Sequence, residues 1–469
     1  MNHHLPQPRG RGLAWFVVGC FTGCAATVAG LGVWLLADDT MLSRLLEEPV
    51  TIAAPPPPQP PGSPVEPEPA EAAADPEPEL AADVPEPPAQ PRPEDCPPLR
   101  AAVAPWLPEA LSEGTKPAAP ITAPKGLERR VQFWEALWGK HPDRTWLILD
   151  SRSPWVVHDT VDCRPIYAGS GVGEEAEKQA DALCRQRVGQ AKAQVIHKLR
   201  REKRRPKGET LKLYDGQRGM ARSAYRRVML IEGHQDSLAQ AVTRAEPYLA
   251  TIERIFASRG LPIALARLSI VESLFELEVR SGAGAVGVFQ FMAPTAREYK
   301  LKVSGDLDER RDPLRSSYAA ARYLEALNRQ FKSWALALTS YNTGPGRMES
   351  VIRARRSRDI VKIAEGGTLG AFGFDGQNYF AQFIAVQRLT EGIKPKGDAT
   401  PAGTARVTQP MPFAKLAACL GAPAHELARV NPALLEGIAQ RKSPVPKGYL
   451  VNLPTGVKAP DPAVDGEES

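Results

Sequence analysis

The sequence contains no Cys-x-x-Cys pair and no His-Glu-x-x-His run among its 6 cysteines and 7 histidines. The common zinc spacings are therefore missing, and no metal or cofactor is expected. Net charge is also small, +5 on 469 residues. That sum excludes no partner by itself, because it averages an acidic stretch over 65–95 with a strongly basic one over 185–230.

One long apolar run is present. Arg9 and Arg11 precede it, it extends from Leu13 to Ala37, and Asp38 and Asp39 follow. About 25 residues at ~1.5 Å each exceed the roughly 30 Å hydrocarbon core of a bilayer. A cleaved signal peptide has an apolar stretch of only about 7–15 residues. Arginines before the span and acids after it predict a single-pass anchor over 13–37, with residues 1–12 in the cytoplasm and the rest outside the membrane. A second reading stays open: Val17-Val18-Gly19-Cys20 resembles a lipoprotein box, which would be cut before Cys20 and lipidated there.

Proline is abundant, 46 residues, and dense from Ala54 to Pro98. A segment of Pro, Ala and Glu cannot bury enough apolar surface to fold and favours extended polyproline II. Residues 38–99 therefore read as a disordered linker.

Residues 100–245 read as an accessory domain of mixed helix and strand. Val131, Trp134, Leu137 and Trp138 recur at helical spacing. "TWLILD" and "WVVHD" are short apolar runs bounded by turns, hence strands. A long helix ends near Pro206, and its basic end, Lys198 to Arg205, invites a nucleic-acid reading. A location outside the membrane argues against nucleic acid, and leaves a solvated face or attraction to anionic wall polymer or lipid headgroups. Cys163 and Cys184, with Cys96 and Cys419 as a second pair, fit disulfides in an oxidising space; unpaired buried thiols fit equally well.

Residues 246–392 are helix-rich, and the overall fold class is mainly α. Leu261-Pro262 opens a helix expected to reach Leu277, and Asp312-Pro313 is an N-cap acid followed by proline at the first helical position. Residues 404–456 read strand–helix–helix–strand, a compact module, and 457–469 a polar tail.

Gly282-x-Gly284-x-x-Gly287 spells the dinucleotide-binding fingerprint. That fingerprint needs a strand before it and a helix opening at the third glycine. Here a helical segment precedes it and the next helix waits until Pro294, so a nucleotide is not expected. The glycines instead suit a tight backbone that lets a bulky ligand approach.

Glu272 stands upstream among Ile270, Val271, Leu274 and Phe275. Loss of hydration in such surroundings raises a carboxyl pKa, and a carboxyl still protonated at neutral pH can act as a general acid. A structural glutamate paired with Arg267 or Arg280 is the competing reading.

"LPIALARLSIVES", "SGAGAVGVFQFMAPTA", "DERRDP", "ALTSYNTGPGR" and "FDGQNYFAQFIA" occur in an order and spacing that resembles the family 1 lytic transglycosylases, whose SLT domain has a goose-type lysozyme-like fold. The resemblance covers about 246–392 and extends weakly into the preceding domain. It implies that Glu272 is the catalytic acid/base with Ser273 beside it. Gly287 and Gln290 match a Gly-x-x-Gln motif whose glutamine contacts glycan, and Met292 follows on the cleft wall. Tyr341 and Asn342 match Ala-Tyr-Asn, with Ser340 in the alanine's place. Tyr379 matches the tyrosine of Glu-Thr-x-x-Tyr-Val, here Asp375-Gly376-Gln377-Asn378-Tyr379-Phe380, without the glutamate and threonine.

The implied substrate is the β-1,4 glycan strand of peptidoglycan, met in the periplasm. Ordinary glycosidases flank the scissile bond with two carboxylates. Glu276, four residues after Glu272, is expected on the same helix face and reads as structural. With one carboxylate, the implied route is intramolecular and closes a 1,6-anhydro ring on muramic acid. A lysozyme-type hydrolase on the same fold and a non-catalytic wall-binding protein are the alternatives. The C-terminal module resembles a LysM glycan-binding unit in its element order, although it lacks the opening Tyr-x-Val-x-x-Gly-Asp-Thr run.

Overall fold

The computed structural model describes residues 96–97, 99–106, 119–397, 399–434, 438 and 443–458. The apolar run at 13–37, Cys20, nearly all of the linker and residues 459–469 lie outside the described residues. Among the described residues, no helix is long and apolar enough to cross a membrane.

The described chain is largely helical, with two small antiparallel sheets. After β1 (Leu99–Ala101) come α1 (Glu128–Gly139), β2 (Thr145–Asp150), β3 (Val157–Asp162), α2 (Arg164–Gly169), α3 (Glu174–Glu202), α4 (Gly208–Leu213), α5 (Arg218–Ser223) and β4 (Val228–Glu232). Then follow α6 (Gln235–Ser258), α7 (Leu268–Ser273), α8 (Ala293–Glu298), α9 (Pro313–Phe331), α10 (Trp334–Thr343), α11 (Pro345–Arg355), α12 (Ile360–Glu365) and α13 (Phe374–Leu389). The last group is β5 (Gly403–Val407), α14 (Phe413–Cys419), α15 (Ala424–Arg429) and β6 (Leu450–Leu453).

The first sheet runs β3-β2-β4. Its central strand is buried on both faces. Leu147 and Leu149 join the main core, while Ile148 joins a smaller core with Val156, Val161, Cys163 and Cys184, as strand alternation requires. The strand expected at "WVVHD" lies two residues later than that run, and "VMLIE" is a strand that sequence reading missed. Helix α3 stops at Glu202, before Pro206, as a proline dictates.

Two expected boundaries are displaced. Helix α6 runs through the division at 245/246 without a break, because Leu238, Ala241, Ala245, Leu249 and Ile252 form one buried stripe. Strand β1, which sequence reading missed, straddles the expected division at 99/100 between linker and accessory domain, and it pairs with β5 to complete a β1-β5-β6 sheet. Both cysteine pairs form disulfides, Cys163–Cys184 and Cys96–Cys419.

Helix α9 begins as the Asp312-Pro313 pair predicts: the Asp312 carboxylate accepts from the N–H groups of Leu314 and Arg315 at 2.9 and 3.1 Å. Its apolar face joins α6, α10 and α13 in the main core.

Candidate active site

Glu272 sits on α7, one residue before its end and 7% exposed. The helix expected to reach Leu277 stops at Ser273 instead. Leu274 and Phe275 turn it off with φ of 54° and 57°. That left-handed backbone costs roughly 1–2 kcal/mol per residue. Burial of the two side chains, at roughly 1.5–3 kcal/mol each, offsets it; both are in the main core.

The early stop also moves Glu276 off the helix that carries Glu272, so the expected shared face does not exist. Its carboxylate lies 3.7 Å from Arg244, at 44% side-chain exposure, and Glu278 is exposed. The competing ion-pair reading for Glu272 fails as well: Arg267 is bound to Glu253, and Arg280 is exposed.

Instead, the Glu272 carboxyl accepts a hydrogen bond from the Tyr379 hydroxyl, which α13 brings across from a separate part of the sequence. Burial pushes the Glu272 pKa up to about 7, against the downward pull of that tyrosine. Burial holds the Tyr341 phenol well above 10, with a smaller push from the nearby Glu272 carboxylate.

The Gly loop forms the neighbouring wall. Isolated bridges join Arg280 to Val286 and Val286 to Phe291, and α8 begins only at Ala293. No strand–loop–helix geometry of a nucleotide fold is present there. Gly287 has φ of +77°, and a Cβ there would lie 1.9 Å from the Arg310 carbonyl oxygen. Arg310 also donates to the carbonyls of Gly284 at 3.1 Å and Phe291 at 3.0 Å. The glycine thus allows close approach of backbone to backbone.

The other expected residues gather on the same loop and helices. The Gln290 side-chain amide donates to the Gly287 carbonyl at 3.0 Å. Ser273 Oγ lies 3.0 Å from the Ser269 carbonyl and 3.1 Å from that of Val288, tying α7 to the loop. Tyr341 donates to the Phe289 carbonyl at 2.7 Å. Met292 is half-buried just before α8. Asn342 is buried, and its Nδ2 has no hydrogen-bond partner among the described residues.

Two features were not legible as a site. Asp375 lies one turn before Tyr379 on α13. Its side chain reaches solvent, yet its neighbours strip enough hydration to raise its pKa. Asn378, beside Tyr379, is bound to Arg130 and Trp134 of α1, a partnership that no local spacing signals. Among the described residues, no group of acidic, cysteine or histidine side chains is arranged to hold a metal ion.

Residues 254–364 match the family described as Transglycosylase SLT domain. Two Escherichia coli proteins, each named membrane-bound lytic murein transglycosylase D, are 38% identical over 122 residues, which is 26% of this chain and 27% of each relative. The chain thus spans about a quarter of the length of those relatives. It carries a transglycosylase SLT domain over residues 254–364.

Proposed function

We propose that this chain, through the transglycosylase SLT domain it carries, is a peptidoglycan lytic transglycosylase that cuts the β-1,4 bond from N-acetylmuramic acid to N-acetylglucosamine without water. The observation that carries the reading is the buried Glu272 carboxyl, held by Tyr379 and pushed up to about 7 by burial. A group with that pKa can give a proton at neutral pH and take one back in the same cycle.

In the first step Glu272 protonates the glycosidic oxygen, and the glucosamine leaves with that proton on its 4-hydroxyl. The muramic N-acetyl oxygen, oriented by Tyr379, stabilises the cationic C1. In the second step Glu272, now a carboxylate, removes the proton of the C6 hydroxyl, whose oxygen bonds to C1 and closes the anhydro ring. The carboxyl is restored and no water is consumed. Gln290, Met292, Tyr341 and Asn342 are the proposed glycan contacts. The unpartnered Asn342 amide supports this, since a buried donor left unpaired costs about 1–3 kcal/mol unless something accepts from it. Ser273 and Gly287 act by holding the loop in position.

The relatives' printed name, membrane-bound, and the run at 13–37 support a membrane anchor with the enzyme on the periplasmic face. Lipidation at Cys20 is the other form of that anchor, and the mass of the mature N-terminus separates the two. The C-terminal module is a proposed second glycan contact.

A hydrolytic reading is favoured by one observation, the raised carboxyl of Asp375 one turn from Tyr379, which could activate water. Product mass decides, because the anhydro product is lighter by one water than the hydrolytic one. Glu272→Gln is expected to abolish release of soluble fragments from purified sacculi. Undiminished release would remove Glu272 from the chemistry, and hydrolytic products from the unaltered protein would replace the lytic route.

A further inference from the structure

We infer that Arg130 is a positioning residue for the reaction: through Asn378 it sets where Tyr379 meets Glu272, which makes α1 and the sheet behind it part of the catalytic apparatus. The inference rests on the lytic reading of Glu272.

Asn378 and Tyr379 are neighbours on α13 and project about 100° apart around it, at 3.6 residues per turn. Tyr379 reaches Glu272, while Asn378 turns toward α1. Asn378 Oδ1 accepts from Arg130 Nη1 at 2.8 Å and from Trp134 Nε1 at 3.1 Å. Its Nδ2 donates to the Phe374 carbonyl at 2.7 Å. The side chain is 1% exposed and has no freedom to reorient.

Arg130 is equally confined, at 1% exposure. Its Nη2 donates to Glu365 at 2.9 Å and to the Arg152 carbonyl at 3.1 Å, and its guanidinium lies 5.4 Å from the Trp155 ring centre. A buried guanidinium deprived of an acceptor is costly, so these contacts hold Asn378 at one distance from α1.

The Arg152 carbonyl is itself held. Asp150 at the end of β2 accepts from the Arg152 N–H at 2.9 Å, and is gripped by Arg227 at 2.7 Å and Tyr214 at 2.7 Å. A continuous frame therefore leads from the β3-β2-β4 sheet through Arg130 and Asn378 to the residue that touches the acid. At its other end α13 is fastened to α1 by Arg388, bound to Glu128 at 2.7 Å. With both ends fixed, a shift at Asn378 moves Tyr379.

The test measures initial rates of fragment release from soluble peptidoglycan strands across pH, using the full chain. Asn378→Leu is expected to lower kcat about ten-fold or more with KM nearly unchanged, as a misplaced catalytic contact does. Its alkaline limb is expected to move to higher pH, because a loosened Tyr379 stabilises the Glu272 carboxylate less. Asn378→Asp keeps the acceptor for Arg130 and Trp134 but loses the donor to the Phe374 carbonyl, and is expected to recover both quantities in part.

A Leu variant that melts earlier but keeps the wild-type kcat and limb would overturn the inference, as would an Asp variant no better than Leu. If Asn378→Leu does not fold, Arg130→Lys substitutes for it, and wild-type behaviour there overturns the inference too. Unaltered protein that makes no anhydro product would instead remove the functional reading on which this one stands.

Discussion

Glu272 is a liability to folding at neutral pH, and that is measurable. In an unfolded chain a glutamate titrates at roughly 4.3, whereas in the fold this one titrates at about 7. Below both values the group is protonated in either state and its ionisation does not affect stability. As pH rises between them the unfolded chain ionises first, so stability falls, and above 7 the loss is complete. At 1.36 kcal/mol per pH unit the loss is on the order of 4 kcal/mol. Glu272→Gln is therefore expected to raise the thermal midpoint at pH 8 and leave it nearly unchanged at pH 4; a gain equal at both pH values would contradict the assigned burial. If Glu272 is the acid proposed above, turnover is expected to decline as pH climbs through about 7 and the group loses its proton.

The elements around that residue are held by non-local contacts. The Gly loop closes on the backbone of Arg310, and nothing larger than hydrogen fits at Gly287. Gly287→Ala adds a clash to an unfavourable φ, so a loss of about 3 kcal/mol or more is expected, read as a lower urea midpoint with the same slope. A stability within about 0.5 kcal/mol of the unaltered chain would mean that the loop is free to move away from Arg310. The glycine spacing was legible in the sequence, and its misfit to a nucleotide loop could be argued from its flanks. Its partner could not, because Arg310 lies 23 residues on and meets the loop only after the chain has turned back. Helix α7 makes a similar point: that the chain turns helical after the Leu261-Pro262 pair was readable, although it does so first as a 3-10 turn over Ile263–Arg267 and becomes α7 only at Leu268. The end of α7 depends on two apolar residues being drawn into a core built from other helices.

Across the whole molecule, the two ends of the described chain are joined. Strand β1 pairs with β5, and Cys96 is bonded to Cys419 across a separation of 323 residues. The module so formed rests on the loop that leads into α9. Arg315, almost fully buried, meets Glu309 at 2.7 Å and Asp312 at 2.9 Å, and lies 4.4 Å from the Trp106 ring centre and 4.5 Å from that of Tyr449. Asn452 of β6 donates to Asp312 at 3.1 Å. By chain entropy a cross-link of that span stabilises by at most about 6 kcal/mol. Replacing Cys96 and Cys419 with serine is expected to lower the thermal midpoint and to expose β1 to limited proteolysis. An unchanged cleavage pattern would show that pairing with β5 holds the strand without the bridge.

The sequence alone determined what is encoded within a few residues. The caps, the helical periodicities and the motif order that marks the SLT domain are local, because a turn or a helix face is decided by neighbours in the chain. It also singled out Glu272 as a carboxyl in apolar company. Tertiary structure decided the rest: that Tyr379 meets this carboxyl, that Glu276 does not share its helix, that Asn378 answers to Arg130, and that β1 belongs with the C-terminal sheet. Those outcomes depend on which distant groups are buried together, and burial is a property of the assembled core, to which the spacing of residues along the chain gives no access.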